Sequence, residues 1–192
     1  MWTSLNKKIF LFISVILIIG IISGIIFLLF LNEASSEIIF LNINEYLQNL
    51  TNLKCNNLFI DIISLSSIII LCLFIIGIPV AIFFIFYNGF TLGFIISSLS
   101  SIFGFKGFIY SIVYIIINKF VYLFFLYFLL LALFKMALII IKTFIHKEHN
   151  NKDEIFHLLK KIGLCLVIIL LYDLILYFFG TKLLILFDFL IS

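Results

Sequence analysis

Long apolar runs constrain this chain more than any other feature of its sequence. The first extends from Ile9 to Leu31, close to the ~20 residues that a membrane-spanning helix needs. Hydrophobic residues make up 66% of the 192 residues and charged residues only 11%, whereas a soluble globular domain carries roughly 25% charged residues. The composition excludes a soluble domain. It predicts an all-α, polytopic membrane helix bundle.

The central stretch from Gly77 to Gly107 holds five of the nine glycines and the only proline of the sequence. We expect Pro79 to kink a second span, which runs over about Ile62 to Tyr87, near Leu73 to Gly77, because proline removes a backbone donor and clashes with the preceding turn. The kink would serve helix packing or, alternatively, form a hinge that lines a substrate path. Asn88-Gly89 predicts a tight turn or a helix start at the cytoplasmic face, and Gly104 to Gly107 predicts a turn. The third segment between them is short, and would either cross a thinned bilayer or be re-entrant.

Two pairs of glycines stand four residues apart, so each pair lies on one helical face. The pairs are Gly20 with Gly24 and Gly89 with Gly93. Small residues at this spacing let two helix backbones approach closely in lipid. Both pairs are therefore predicted to pack helices together or to dock a partner.

The distribution of lysine predicts the topology. Residues 142 to 161 are the most basic segment, with five lysines and all three histidines. The positive-inside rule places this segment in the cytoplasm, together with Lys7 and Lys8 before the first apolar run. We expect about five membrane segments in a single domain of residues 1 to 192, with the amino terminus in the cytoplasm. The last span would run from Ile162 to Phe179, followed by an apolar tail in the far interface.

Residues 32 to 61 form the sizeable polar segment on the far, extracytoplasmic side. Their apolar positions recur among acids and asparagines, which favours short amphipathic helices on the membrane surface or against a partner. The segment is either a connector that packs on its own bundle or a loop that binds a partner.

Three polar residues fall inside the predicted membrane segments. Asn118, next to Lys119, predicts a break in the apolar stretch from Phe108 to Lys142. Asp173 lies about eleven residues into the last span, where a charge costs ~2.5 to 3.5 kcal/mol on insertion scales. Lys135 is the nearest partner by depth, so we expect the two side chains to pair. The pair would clamp two helices or, alternatively, relay protons or ions.

Catalytic and metal motifs are missing from the sequence. It has no glycine-rich phosphate loop, no Ser-His-Asp or Cys-His set on one side of the membrane, and no paired acids or metal motif for intramembrane proteolysis. The histidines lie among lysines without a fourth ligand, and the three scattered cysteines imply no disulfide framework. The net charge of +3 sits mainly in one segment, which does not suggest a nucleic-acid surface. We expect no enzymatic activity, no metal and no cofactor.

The central stretch resembles a family of bacterial membrane proteins. Gly-Ile-Pro-Val at 77 to 80, Asn-Gly at 88 to 89, Gly93-Phe94 and Gly-Phe-Lys-Gly at 104 to 107 are similar to the central segment of the stage II sporulation protein M family. Ile-Gly-Ile-Ile-Ser-Gly at 19 to 24 and the overall length also look like that family. The likeness is motif-specific over about a third of the chain.

The chain departs from the family's pattern in two places. Ile117 and Phe124 stand where the family has prolines beside a polar pair. Near the end of the last span, Tyr177 and Thr181-Lys182 stand where the family tends to have an acid before Thr-Pro. Asp173, one turn earlier, could stand in for that acid.

The resemblance implies a non-catalytic scaffold of the engulfment machinery of an endospore-forming bacterium. Such a protein would lie in the septal or forespore-engulfing membrane and recruit the cell-wall hydrolases known as stage II sporulation proteins D and P, which thin the septal peptidoglycan. The far-side segment and the glycine-bearing helix faces would then be docking surfaces. The alternative is a small transporter or channel, with a path along the proline-kinked helix, the serine-rich third segment and Asp173.

Overall fold

The computed structural model describes residues 2–31, 33–48, 63, 65–67, 70, 77–146 and 152–185. Among these residues there is no strand, and the elements are α1 (Trp2–Leu29), α2 (Glu33–Gln48), α3 (Gly77–Ile115), a π-helical turn (Ile116–Phe120), α4 (Val121–His146) and α5 (Lys152–Ile185). The predicted all-α class is confirmed for the described part of the chain.

Three of the described helical stretches are long and apolar enough to cross a membrane. They are Lys7–Leu29, Ile78–Ile141 and Asp153–Gly180. In lipid the backbone N–H and C=O groups must be satisfied within the chain, and a helix satisfies them within one segment. These helices therefore indicate a membrane protein. The second stretch, of 64 residues, is about three times as long as the ~20 residues that one span needs. It does not form one straight helix, since it folds back on itself.

The fold-back occurs at Gly104. Its backbone has φ 59° and ψ −137°, a conformation that glycine adopts at little steric cost because it lacks a Cβ. Beyond it, Gly107 lies so close to the carbonyl oxygen of Leu99 that an added Cβ would overlap that atom. α3 thus consists of two antiparallel arms, 77–103 and 105–115. The predicted turn at Gly104 to Gly107 is confirmed.

The prediction of a tight turn or a helix start at Asn88-Gly89 is wrong. α3 continues through both residues, and Gly104 is the position at which its backbone leaves the helical conformation. The side chain of Asn88 donates a hydrogen bond to the carbonyl oxygen of Phe84 one turn earlier, at 2.8 Å, so the amide that would favour a turn is used inside the helix. Residues 89–103 therefore complete the first arm of α3 and do not form a separate short or re-entrant segment.

Pro79 lies in the first turn of α3, which begins at Gly77. Proline is tolerated there, because the first backbone N–H groups of a helix have no partner within it. The kink that we expected over Leu73 to Gly77 falls outside the described residues, apart from Gly77 itself.

α1 and the first arm of α3 run parallel to each other. Gly20 faces Gly89, and Gly24 faces Phe90 and Phe94, so the contact advances in the same direction along both helices. The rings of Phe27 and Phe90 pack edge to face, with centroids 5.5 Å apart. The two helices therefore begin at the same end of the bundle.

The second arm of α3 continues through the π-helical turn into α4, and α5 runs back along α4. Leu129, Leu130 and Leu133 on α4 are fully buried and belong to one core with Ile13 of α1 and Ile169 of α5. The outer faces of α1 and α5 leave many large apolar side chains exposed, as expected for helices that contact lipid. The ring of Tyr127 further ties α4 to α1, because its hydroxyl donates to the carbonyl oxygen of Phe10.

The end of α4 and both ends of α5 differ from the sequence prediction. Much of the basic segment 142–161 is helical, because α4 reaches His146 and α5 begins at Lys152. α5 also continues through Gly180 to Ile185, whereas we expected the last span to end there. The remainder of the apolar tail, 186–192, lies outside the described residues.

Candidate intramembrane polar site

A π-helical turn at Ile116–Phe120 interrupts the long helical path after Gly104. In a π-helix the hydrogen bonds run from i to i+5, so the regular ladder is locally disturbed, and such turns are frequent at functional sites. The hydroxyl of Tyr172 on α5 donates a hydrogen bond to the carbonyl oxygen of Ile117. A side chain from the neighbouring helix thus satisfies a carbonyl at the irregular turn.

Two buried polar side chains adjoin this hydrogen bond. Asn118 follows Ile117 and is 7% exposed, and Asp173 follows Tyr172 and is 2% exposed. Both side chains interact with other groups in the bundle, as an amide and a carboxyl buried in a membrane should. The π-helical turn and α5 therefore bring Asn118, Tyr172 and Asp173 to one level of the bundle.

Lys135 does not lie at this site. The charged groups that act on it are Lys161 and Glu154, near the start of α5. Ile117, which contacts Tyr172, precedes Lys135 by 18 residues, or about 27 Å of helix at 1.5 Å per residue. The structure does not bring the predicted Lys135–Asp173 pair together. Depth counted from the ends of the apolar runs predicted the pair, whereas α4 and α5 both extend past those ends.

Further polar groups are buried between this site and the turn at Gly104. Ser98, Tyr110 and Ser111 are each at most 1% exposed. The serine hydroxyls donate to carbonyl oxygens of their own helix, from Ser98 to Phe94 and from Ser111 to Phe108, both at 2.7 Å. Ser98 and Tyr110 line a cavity of about 150 Å³, and Ile43 of α2 belongs to the same lining.

Sequence reasoning missed Tyr110, Ser111 and Tyr172. A signal was present for the first two, because Tyr110 and Ser111 stand eight and seven residues before Asn118, with Tyr114 between them. That spacing follows one helical face. Tyr172 carries no such signal, since its role depends on the register of α5 against the π-helical turn.

The four paired glycines lie where α1 meets α3. A Cβ on Gly20 would be 2.5 Å from the carbonyl oxygen of Phe86, and Cβ atoms on Gly24, Gly89 and Gly93 would overlap carbonyl oxygens of the facing helix. No larger residue fits unless the helices move apart. These glycine faces are covered within the chain, so they are not free to dock a partner.

In the described part of the chain, no group of three or more His, Cys, Asp or Glu side chains could hold a metal ion. Cys165 is a free, buried thiol.

The helices and this site define an α-helical membrane protein with polar groups buried among its apolar helices. No family model, no curated protein and no solved structure matches the chain.

Proposed function

We propose that the chain is a non-catalytic scaffold of the sporulation engulfment machinery. It would cross the membrane about five times, with its amino terminus in the cytoplasm, and recruit stage II sporulation proteins D and P to the septal membrane. The motifs between Gly77 and Gly107 support this proposal through their family resemblance. The observation that carries it in the structure is the outward surface of α2.

α2 contacts the bundle on one side and leaves the other side exposed. Ile43 packs at the cavity beside Ser98, whereas Ile38 and Leu41 are 60% and 68% exposed. The acidic residues Glu37 and Glu45 are also exposed on this helix.

Ile38, Leu41 and Glu45 stand three and four residues apart, so they share one helical face. A face that combines apolar and acidic groups suits recognition by a protein partner, which buries the apolar groups and pairs the charges at the rim. A membrane-anchored hydrolase on the far side could reach such a surface.

Engulfment microscopy tests the proposal in a strain that lacks the chain. Starved cells stained with a membrane dye should stall after septation, with flat or bulging septa that never engulf. Complete engulfment in the deletion strain would refute the proposal.

Point variants then test the role of α2. Glu37→Gln/Glu45→Gln should reduce co-purification of the two hydrolases at unchanged abundance. The matched control, Asp153→Asn/Glu154→Gln, removes two acids from the start of α5 and should leave co-purification unchanged. Equal losses in both variants would argue against recognition by α2.

A small transporter or channel is the second candidate, and the buried Asn118 and Asp173 beside Tyr172 favour it. An ionisable residue inside a membrane bundle often marks an ion or proton path. Purified chain in liposomes, given proton, sodium and potassium gradients, tests this function. Flux that Asp173→Asn abolishes at normal abundance would support transport, whereas lower abundance of the variant with no wild-type flux would indicate a structural role.

A further inference from the structure

A cavity of about 860 Å³ lies between α1, α4 and α5, at the end of the bundle where α1 begins. Its walls are mostly aromatic and aliphatic, and they include Phe124, Phe128 and Leu164. These three side chains are 51%, 47% and 61% exposed, so the cavity is a groove that opens to the outside of the bundle. In a membrane, an apolar groove on the outside of a bundle faces lipid acyl chains.

Basic side chains from three helices line the same cavity. They are Lys7 of α1, Lys135 of α4 and Lys160 and Lys161 of α5, with His157 beside them. No acidic residue of the described chain is among the lining residues, although Glu154 acts on Lys135 from nearby. Several ammonium groups around one cavity repel one another, and an anion among them relieves that repulsion.

The basic and apolar parts of the cavity lie at different depths. Lys7 is the first residue of the apolar span Lys7–Leu29, whereas Lys135, Lys160 and Lys161 lie six to eight residues inside the same end of their own spans, at Ile141 and Asp153. Phe124 and Phe128 precede Lys135 on α4, and Leu164 follows Lys161 on α5. Because α4 and α5 run in opposite directions, these apolar residues all lie on the membrane side of the lysines.

We propose that this cavity binds one anionic phospholipid. The head-group phosphate contacts the lysines, and an acyl chain lies along Phe124, Phe128 and Leu164. Basic pockets between transmembrane helices bind anionic head groups in this way, and the volume is within the range of about 300 to 1,000 Å³ that ligand pockets occupy. This lipid site is independent of the proposed scaffold function, because neither scaffolding nor transport requires it.

Native mass spectrometry of the full chain in a neutral detergent tests the site, with phosphatidylglycerol, phosphatidylcholine and inorganic phosphate as probes. The chain should retain phosphatidylglycerol in preference to phosphatidylcholine. Lys135→Gln/Lys161→Gln should weaken phosphatidylglycerol binding roughly thirtyfold, at about 1 kcal/mol for each lysine. Lys135→Arg/Lys161→Arg keeps both charges and should retain binding, which also shows that substitution at these positions is compatible with the fold.

The control variant is Lys106→Gln/Lys182→Gln, which removes two exposed lysines outside this cavity. It should bind phosphatidylglycerol as the unmodified chain does. An equal loss in both glutamine variants would mean general charge attraction and would overturn the site. Equal retention of the two lipids would also overturn it. Displacement of phosphatidylglycerol by millimolar phosphate would identify a soluble anion as the ligand instead.

Discussion

Gly20 on α1 faces Gly89 on α3 so closely that a Cβ built on Gly20 would lie 3.1 Å from the Cα of Gly89. The close approach repeats one turn further on, where a Cβ on Gly93 would overlap the carbonyl oxygen of Ile21. In lipid, helices associate through packing and polar contacts, because lipid tails are as apolar as the side chains. This glycine contact therefore fixes α1 against the first arm of α3.

Gly93→Ala should destabilise the chain, because its new methyl group would overlap the backbone of α1. Overpacking of this kind typically costs about 1–3 kcal/mol. Gly163→Ala is the matched control, since nothing lies within 4 Å of its added Cβ, and alanine favours a helix over glycine by up to about 1 kcal/mol. Thermal unfolding in detergent should show opposite shifts for the two variants. A similar shift in both would contradict the close contact.

The glycine contact was predictable, because helices that approach each other closely carry small residues four positions apart in the sequence. The path of the chain on either side of this contact was not predictable. Asn88-Gly89 has the composition of a turn, and only the hydrogen bond from Asn88 to the carbonyl oxygen of Phe84 shows how a helix accommodates it. Because α3 continues through Asn88 and Gly89, its whole first arm runs parallel to α1.

The polar site was predictable in its members but not in its pairing. Asn118 and Asp173 are conspicuous as polar residues in apolar runs. Their common level depends on the register between α5 and the π-helical turn, which Tyr172 marks by its bond to Ile117. The sequence prediction ended α4 too early and began α5 too late, and that error moved Lys135 next to Asp173.

Gly104→Ala should destabilise the turn between the two arms of α3 through backbone strain alone. No atom lies within 4 Å of a Cβ added there, but the residue has φ +59°. A non-glycine residue held in such a conformation costs on the order of 1–3 kcal/mol. Gly163→Ala again serves as the control, because its surroundings are equally open and its conformation is helical. If thermal unfolding in detergent does not separate the two variants, the positive φ is not a constraint on the fold.

Tyr172→Phe should weaken the contact between α5 and the π-helical turn. It removes the hydroxyl that donates to the carbonyl oxygen of Ile117, and hydrogen bonds between membrane helices contribute about 0.6 kcal/mol on average and about 1.7 kcal/mol at most. Tyr87→Phe makes the same chemical change at a side chain that is 54% exposed and should have no measurable effect. Unfolding by a denaturing detergent distinguishes them, and equal stabilities would show that the Tyr172 bond contributes nothing.

Asp173→Asn and Lys135→Gln should have additive effects on stability. Ile117, which marks the level of Asp173, is about 27 Å along the helix from Lys135, and distant sites usually add to within about 0.3–0.5 kcal/mol. A double-mutant cycle measured by thermal unfolding decides this. A coupling above about 1 kcal/mol would restore the salt bridge that the sequence suggested.

Cysteine labelling should place both ends of the bundle. α1 begins at the end where α5 begins, and the turn at Gly104 lies at the other end, towards which α5 runs. In a variant without the three native cysteines, Lys8→Cys and Lys160→Cys should therefore react with an impermeant maleimide from one side of the membrane. Lys106→Cys and Lys182→Cys should react from the opposite side. Labelling of the second pair in intact cells, with protection of the first, would agree with a cytoplasmic amino terminus; reaction of Lys8→Cys and Lys106→Cys from the same side would refute the parallel arrangement of α1 and α3.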